Sequence, residues 1–311
     1  MKVLIIGAGM AGLTAGRRLQ ETGWAVTILD KGRGPGGRLA TRRIGVQRFD
    51  HGAQYIRAVS PRFRRAIAQW REAGVVEEWF HVDGAPRYRG AGGMNAIAKH
   101  LAHGLDVRLG LKAELVEHDG SEWRVTESAG EVLTAKALLV TAPAPQALDL
   151  LGPLGSALQP KVRQAAYSPC FALMLALDGP SGLPAPGFVR PDSGPIAWAA
   201  DNCVKGITEG GGALTIHSTA SFTEAHYDSP QEEVAAKLIS PARPWTGQAG
   251  IREWQLHRWR YSLVTRPGPG PCCCVPTPGP LVLAGDAFGG PRVEGAFLSG
   301  YAAAQALIEK L

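Results

Sequence analysis

The sequence predicts an α/β protein in two parts. Three observations predict it: an opening strand that runs through a glycine-rich turn into a helix, a second glycine–aspartate turn near the far end of the chain, and branched, aromatic runs between them. The first two place one α/β layer at both ends of the chain. The third places a second α+β domain, built around an antiparallel sheet, in the middle.

The chain has 311 residues, enough to bury a large core, and 45% apolar with 19% charged residues is an ordinary globular balance. No apolar run reaches the roughly 18 residues a spanning helix needs. The N-terminus passes straight into Lys2-Val3-Leu4-Ile5-Ile6, which reads as a strand and not a leader, and Arg17-Arg18 lies inside a helical pattern. Five cysteines, three of them contiguous at Cys272-Cys273-Cys274, suit neither a disulfide framework nor a CxxC metal site. A soluble, cytoplasmic protein with reduced thiols is expected. The net charge of +6 comes mostly from scattered arginines without a basic run, which favours an anionic small molecule over nucleic acid.

Val3 to Gly7 forms the first strand, followed by the GxGxxG turn Gly7-Ala8-Gly9-Met10-Ala11-Gly12 and a helix carrying Leu13, Gly16 and Leu19. Gly23 ends that helix, Trp24 to Leu29 forms a strand, and Asp30 stands 18 residues beyond Gly12. Gly7 permits the tight turn, Gly9 lets the backbone approach a pyrophosphate, and Gly12 allows close helix–strand packing. The helix N-terminus directs free N–H groups at phosphate, and Asp30 can accept hydrogen bonds from a ribose diol. The order strand, turn, helix, strand, acid carries the reading of a Rossmann-type domain, because glycine is common here, at 40 of 311 residues.

This unit alone does not separate NAD from FAD. Asp30 is followed by Lys31-Gly32-Arg33-Gly34-Pro35-Gly36-Gly37-Arg38, and the strand Pro280 to Ala284 by Gly285-Asp286-Ala287. These segments resemble the flavoprotein class of amine oxidases, carotene desaturases and glutathione reductase. The resemblance implies that Arg38 pairs with the FAD pyrophosphate, a contact suited to a guanidinium fork. It also implies that Asp286 lies on the ribityl and phosphate side, and that Ala113, after Gly110-Leu111-Lys112, touches the adenine through its backbone. A terminal helix is expected to begin near Glu294. Gly295, Ala296, Ser299 and Gly300 keep its start small enough to approach a flat ring, its dipole favours negative charge there, and Val293 just before it is a further candidate cofactor contact. FAD is expected to be non-covalent, since Cys272 to Cys274 lie too close to the final strand to match the class's attachment cysteine.

The FAD domain is expected to gather 1–57, 91–154 and 279–311, leaving 58–90 and 155–278 as the substrate domain. Met94, Ile97, Ala98 and Leu101 share one helical face, and strands are expected around 105–118, 122–127 and 132–141. Ser60-Pro61 starts a helix bearing Phe63, Ile67 and Trp70, and Ser229-Pro230-Gln231-Glu232 reads as a capping box. The stretches 170–177, 213–222 and 251–260 read as strands, and 266–280 as a surface connection.

Arg38-Leu39-Ala40-Thr41-Arg42-Arg43 and Phe49-Asp50-His51-Gly52-Ala53-Gln54-Tyr55 go beyond the general class. With Trp198 to Asn202, Lys205, His217 to Phe222 and His257 to Tyr261, they resemble the renalase family, whose fold is similar to that of monoamine oxidases. The resemblance implies that Gln54 and Tyr55 line the flavin. It further implies oxidation of 2- and 6-dihydro isomers of NAD(P), with hydride passing to flavin N5 and O2 reduced to hydrogen peroxide. That chemistry needs no general base, because forming an aromatic pyridinium drives hydride loss. His51, Tyr55, Asn202, His217 and Trp259 are candidate pocket residues. For His51, His217 and Trp259 a purely structural role is equally open, and Asn202 and Lys205 could bind substrate phosphate or amide or form a turn. The alternative enzyme is a flavin-containing amine oxidase, disfavoured because 170–175 carries no lysine and 288–294 no tyrosine. A non-catalytic flavin-binding scaffold is a further alternative, which oxygen uptake would distinguish.

Overall fold

The computed structural model describes residues 1–275 and 278–310, apart from the side chains of 159, 161 and 310. The chain opens with β1 (Lys2–Ile6), α1 (Met10–Glu21), β2 (Ala25–Asp30), the hairpin β3 (Thr41–Ile44) and β4 (Gln47–Asp50), and α2 (Pro61–Glu72). It continues through β5 (Val76–Val82), β6 (Ala85–Gly90), α3 (Asn95–Ala102), β7 (Asp106–Leu109), β8 (Ala113–His118), β9 (Trp123–Glu127), β10 (Val132–Ala135) and β11 (Ala137–Val140). Then come α4 (Ala144–Val162), β12 (Ala166–Leu177), β13 (Phe188–Val189), β14 (Ile196–Asp201), β15 (Ala213–Ser218), α5 (Ala220–His226) and α6 (Gln231–Thr246). The last elements are β16 (Ile251–Arg266), β17 (Cys273–Val275), β18 (Leu281–Leu283), α7 (Asp286–Gly289) and α8 (Arg292–Lys310).

The two ends of the chain meet in one sheet, ordered β17-β18-β11-β1-β2-β7. Strands β18, β11, β1, β2 and β7 are mutually parallel, and β17 adds an antiparallel edge. Alternation splits the central strand between two cores: Val3 and Ile5 pack with Leu13, Leu19 and Ile28 under α1, while Leu4 and Ile6 pack with Leu138 and Val140 on the other face. Helix α8 lies so close to α1 that a Cβ on Gly300 would sit 2.2 Å from the Ala11 carbonyl oxygen. That contact fixes the C-terminal glycine–aspartate turn beside the N-terminal glycine turn.

The middle of the chain builds the expected antiparallel sheet, ordered β13-β14-β15-β12-β16, with α6 over one face through Val234, Ala235 and Leu238. Ser60 caps α2, accepting the Phe63 amide as its sequence predicts.

Four local expectations need correction. Residues 213–222 are not one strand: β15 stops at Ser218, and Thr219 caps α5 by accepting the Phe222 amide. Ser229 does not cap α6, whose N-cap is Pro230 without a side-chain bond. Helix α8 begins at Arg292, before Glu294, whose carboxylate instead accepts the Val59 and Ser60 amides. The stretch 266–280 is more than a connection, since β17 pairs with β18 and Cys273 is buried; residues 276 and 277 of that stretch lie outside the described residues.

Candidate active site

The glycine turn between β1 and α1 behaves as its spacing requires. Gly7 adopts φ 111°, and a Cβ on Gly12 would lie 2.0 Å from the Gly7 carbonyl oxygen. Gly9 differs: nothing lies within 4 Å of where its Cβ would be. The protein therefore leaves open space above Gly9 that its own packing does not demand. Gly9 is bridged to Gly36, and Gly37 adopts φ 54° with its Cβ position 3.7 Å from the Gly9 Cα, so the two glycine segments face each other.

Asp30 does more than await a ribose. One carboxylate oxygen accepts the Ala8 amide at 2.6 Å and the other the Gly32 amide at 2.6 Å. Each oxygen retains a second lone pair, so the acid locks the turn and keeps acceptor capacity. Lys31 beside it is exposed. Leu111 and Gly110 donate to the carbonyls of Asp30 and Gly32, which brings Ala113, the first residue of β8, to the same edge.

Arg38 and Asp286 form a bidentate ion pair at 2.7 and 2.6 Å, and Arg38 also donates to the Ser262 carbonyl. Each was expected to face the cofactor; the fold brings them to one point. Gly285 adopts φ 143° and donates to Ser299 Oγ, tying this turn to α8. Gly295 is obligatory, since its Cβ would stand 1.8 Å from the Gly290 carbonyl oxygen, while Val293 and Ala296 beside it are half-buried. Tyr167 accepts the Ala144 amide, and burial pushes its phenol up to about 12.

The segment 49–55 meets the antiparallel sheet through one carbonyl. His51 O accepts Trp259 Nε1–H at 2.8 Å and His217 Nε2 at 3.1 Å, which assigns the His217 proton to Nε2. The His51 ring stacks on Trp259 and meets His257 edge-on, with ring centroids 5.4 and 5.1 Å away. Burial holds His51 down at about 3, and His217 and His257 at about 4, so all three are neutral at physiological pH. Gln54 donates to the Asp50 and Gly52 carbonyls. Its Oε1, like His51 Nδ1, is buried with no partner among the described residues.

Asn202 and Lys205 are not pocket residues here. Asn202 is fully buried, donating to the Ala213 carbonyl and Thr215 Oγ1 and accepting the Asp50 amide. Lys205 is equally buried, 2.7 Å from Asp50, whose other oxygen accepts Thr41 Oγ1 and the Met94 amide. A buried amide and ammonium must be bonded internally, and these are. Tyr55 is half-buried and packs in an aromatic layer with Phe80, Phe188 and Trp198 that no sequence spacing announced.

The open space over Gly9, the unpartnered Gln54 Oε1 and the cation–anion pair at Arg38 together fit a dinucleotide cofactor lying across this edge. A family model described as flavin containing amine oxidoreductase matches residues 73–308. The chain belongs to that family. A second model, the NAD(P)-binding Rossmann-like domain, matches residues 5–70. Mouse renalase is 25% identical, over 92% of this chain and 93% of its own. Among solved structures, a double mutant of putrescine oxidase matches with TM-score 0.73 at 15% identity, covering 99% of each chain. Reduced UDP-galactopyranose mutase matches with TM-score 0.69 at 13% identity, covering 100% of this chain and 96% of that one. Members of the amine oxidoreductase family are flavoenzymes; this one is an FAD-dependent oxidoreductase with a Rossmann-type domain and a renalase-like architecture. No helix among the described residues is long and apolar enough to cross a membrane.

Proposed function

We propose that this enzyme oxidises 2- and 6-dihydro isomers of NAD(P) to NAD(P)+, with O2 taken to hydrogen peroxide. Bound FAD, held non-covalently, would supply the two-electron acceptor and the route to oxygen. The observation that carries the reading is the character of the polar side chains around His51, in the segment that also carries Gln54 and Tyr55. His51, His217 and His257 are neutral, and Arg42 donates to Gln255 with no carboxylate paired to it among the described residues. Such a surface disfavours an ammonium substrate and suits an anionic one. A substrate that becomes an aromatic cation on losing hydride needs orientation and exclusion of water, not a base.

The cofactor would lie over Gly7, Gly9, Ala11 and Gly12, with Asp30, Lys31 and Ala113 at its adenosine end and Gly37, Arg38, Gly285 and Asp286 along its phosphates and ribityl chain. Val293, Gly295 and Ala296 would face the ring with Gln54 and Tyr55. His217 and Trp259 act one step back: both fix the His51 carbonyl, and through it the turn that carries Gln54. An amine oxidase is the second reading, favoured by the family match alone.

Incubating the holoenzyme in air with the dihydro isomers, ordinary NADH and a monoamine panel tests the proposal. NAD(P)+ and peroxide should form in equal amounts from the isomers only. Peroxide from amines alone would replace this reading with the second.

A further inference from the structure

The aromatic layer beside Tyr55 carries one cation that the packing does not explain. Arg190 follows β13, at the edge of the antiparallel sheet, and is exposed. Its guanidinium lies 4.9 Å from the Trp198 ring centroid and 5.7 Å from that of Tyr55, and donates to the Tyr55 hydroxyl at 2.6 Å. No carboxylate pairs with it among the described residues, and its one side-chain hydrogen bond there goes to a neutral hydroxyl.

Two further donors stand at the same place. The Tyr55 hydroxyl accepts from Arg190, so its own proton is free to be donated. Trp198 is 6% exposed, and its indole N–H is buried without an acceptor among the described residues. An unsatisfied buried donor in a native fold asks for a partner the protein does not supply. Three donors, one of them cationic, gather on stacked rings, with Phe188 parallel to Trp198 at 4.5 Å behind them. That is the chemistry of an anion site: the guanidinium fork suits phosphate oxygens, and the covered rings hold it in place.

We propose that Arg190 is the anion-recognition residue of the substrate site, receiving the pyrophosphate of a dinucleotide. This rests on the substrate class proposed above and adds the residue that selects a phosphorylated substrate over a bare ring. Arg190 takes no part in redox chemistry; it sets affinity.

Titration of the oxidised holoenzyme with NAD+, ADP-ribose, inorganic pyrophosphate and nicotinamide riboside, read by flavin absorbance and tryptophan fluorescence, tests it. Arg190→Met should weaken NAD+ and ADP-ribose roughly 10- to 100-fold, the usual worth of a hydrogen bond to a charged group, and leave nicotinamide riboside unchanged. Arg190→Lys should recover part of the loss. In anaerobic flavin reduction by a 6-dihydro isomer, the variant should raise the half-saturation concentration without changing the limiting rate. Equal weakening of riboside and dinucleotide, no weakening at all, or a wild-type protein that binds none of the four probes would each overturn the proposal. If the wild type oxidises no dihydro isomer yet loses ADP-ribose binding on R190M, the anion site stands and the substrate reading falls. If the wild type oxidises the isomers and R190M binds ADP-ribose as tightly as before, the substrate reading stands and the anion site falls.

Discussion

Replacing Lys205 by methionine should unfold this protein at a markedly lower temperature, although Lys205 touches no substrate. Lys205 and Asp50 are both fully buried, 2.7 Å apart, and Asp50 also accepts Thr41 Oγ1 and the Met94 amide. Burial pulls the lysine pKa down and Asp50 opposes that shift, so the pair persists because each charge answers the other. Methionine keeps most of the stem but removes the ammonium that lies over the Trp79 ring and leaves a buried carboxylate uncompensated. Breaking such a pair costs about 3–5 kcal/mol. At roughly 2 °C per kcal/mol, the low end of the range suited to a chain this long, the midpoint should fall by about 6–10 °C. The double variant Asp50→Asn with Lys205→Met removes both charges and keeps an acceptor for Thr41 and Met94, so it should recover more than half of the loss. Thermal unfolding of the holoenzyme, followed by circular dichroism and by release of flavin fluorescence, reads both variants. A K205M midpoint within about 1 °C of wild type, or a double variant no better than the single, would refute the reasoning.

Gly9→Ala and Gly12→Ala should part company: the first meets open space and should fold while losing FAD affinity, whereas the second drives a methyl to 2.0 Å from the Gly7 oxygen and should lower the yield of folded protein, as expression and flavin-to-protein ratio will report. Arg38→Met, which strands Asp286 and removes the proposed phosphate donor, should weaken FAD about 10- to 100-fold in equilibrium dialysis, with lysine restoring only part. Acid should destabilise the fold through its histidines: His51, His217 and His257 titrate at about 3, 4 and 4 when folded against about 6.5 unfolded, so the stability from keeping them neutral is complete above about 6.5 and lost as pH falls toward 4. His217→Gln, which can still donate to the His51 carbonyl, should flatten that acid limb in urea unfolding at pH 5 against pH 7, and an unchanged slope would count against it.

What could be read from the sequence follows a physical division. The glycine turn and the acid at the end of β2 were legible as local geometry: Gly7 takes a positive φ, Gly12 has no room for a Cβ, and Asp30 closes the turn on the Ala8 and Gly32 amides. The terminal-helix glycines stood out as a run of small residues read as room for a flat ring, and the structure gives Gly295 and Gly300 a packing reason instead: their Cβ atoms would meet the Gly290 and Ala11 carbonyl oxygens. The pairing of Arg38 with Asp286, 248 residues apart, was not legible, because the sequence gives each residue a role and no partner. Asn202 and Lys205 are easily misplaced from sequence, since an amide and an ammonium serve a phosphate or a buried carboxylate equally well, and only burial decides. Residues 219–222 read as strand because their aromatic content outweighed the Thr219 cap. Arg190 and the aromatic layer were invisible, being assembled from the segment after β4, one hairpin and two neighbouring strands of the sheet with no common spacing.

The proposed activity is tested most directly by anaerobic mixing of the oxidised holoenzyme with 2- and 6-dihydro-NAD(P), following flavin absorbance on the millisecond scale. Rapid bleaching by these isomers is expected, with none by amines, and full recovery of colour with peroxide when air is readmitted. A flavin that stays oxidised with every dihydro isomer and bleaches with a primary or secondary amine would contradict it.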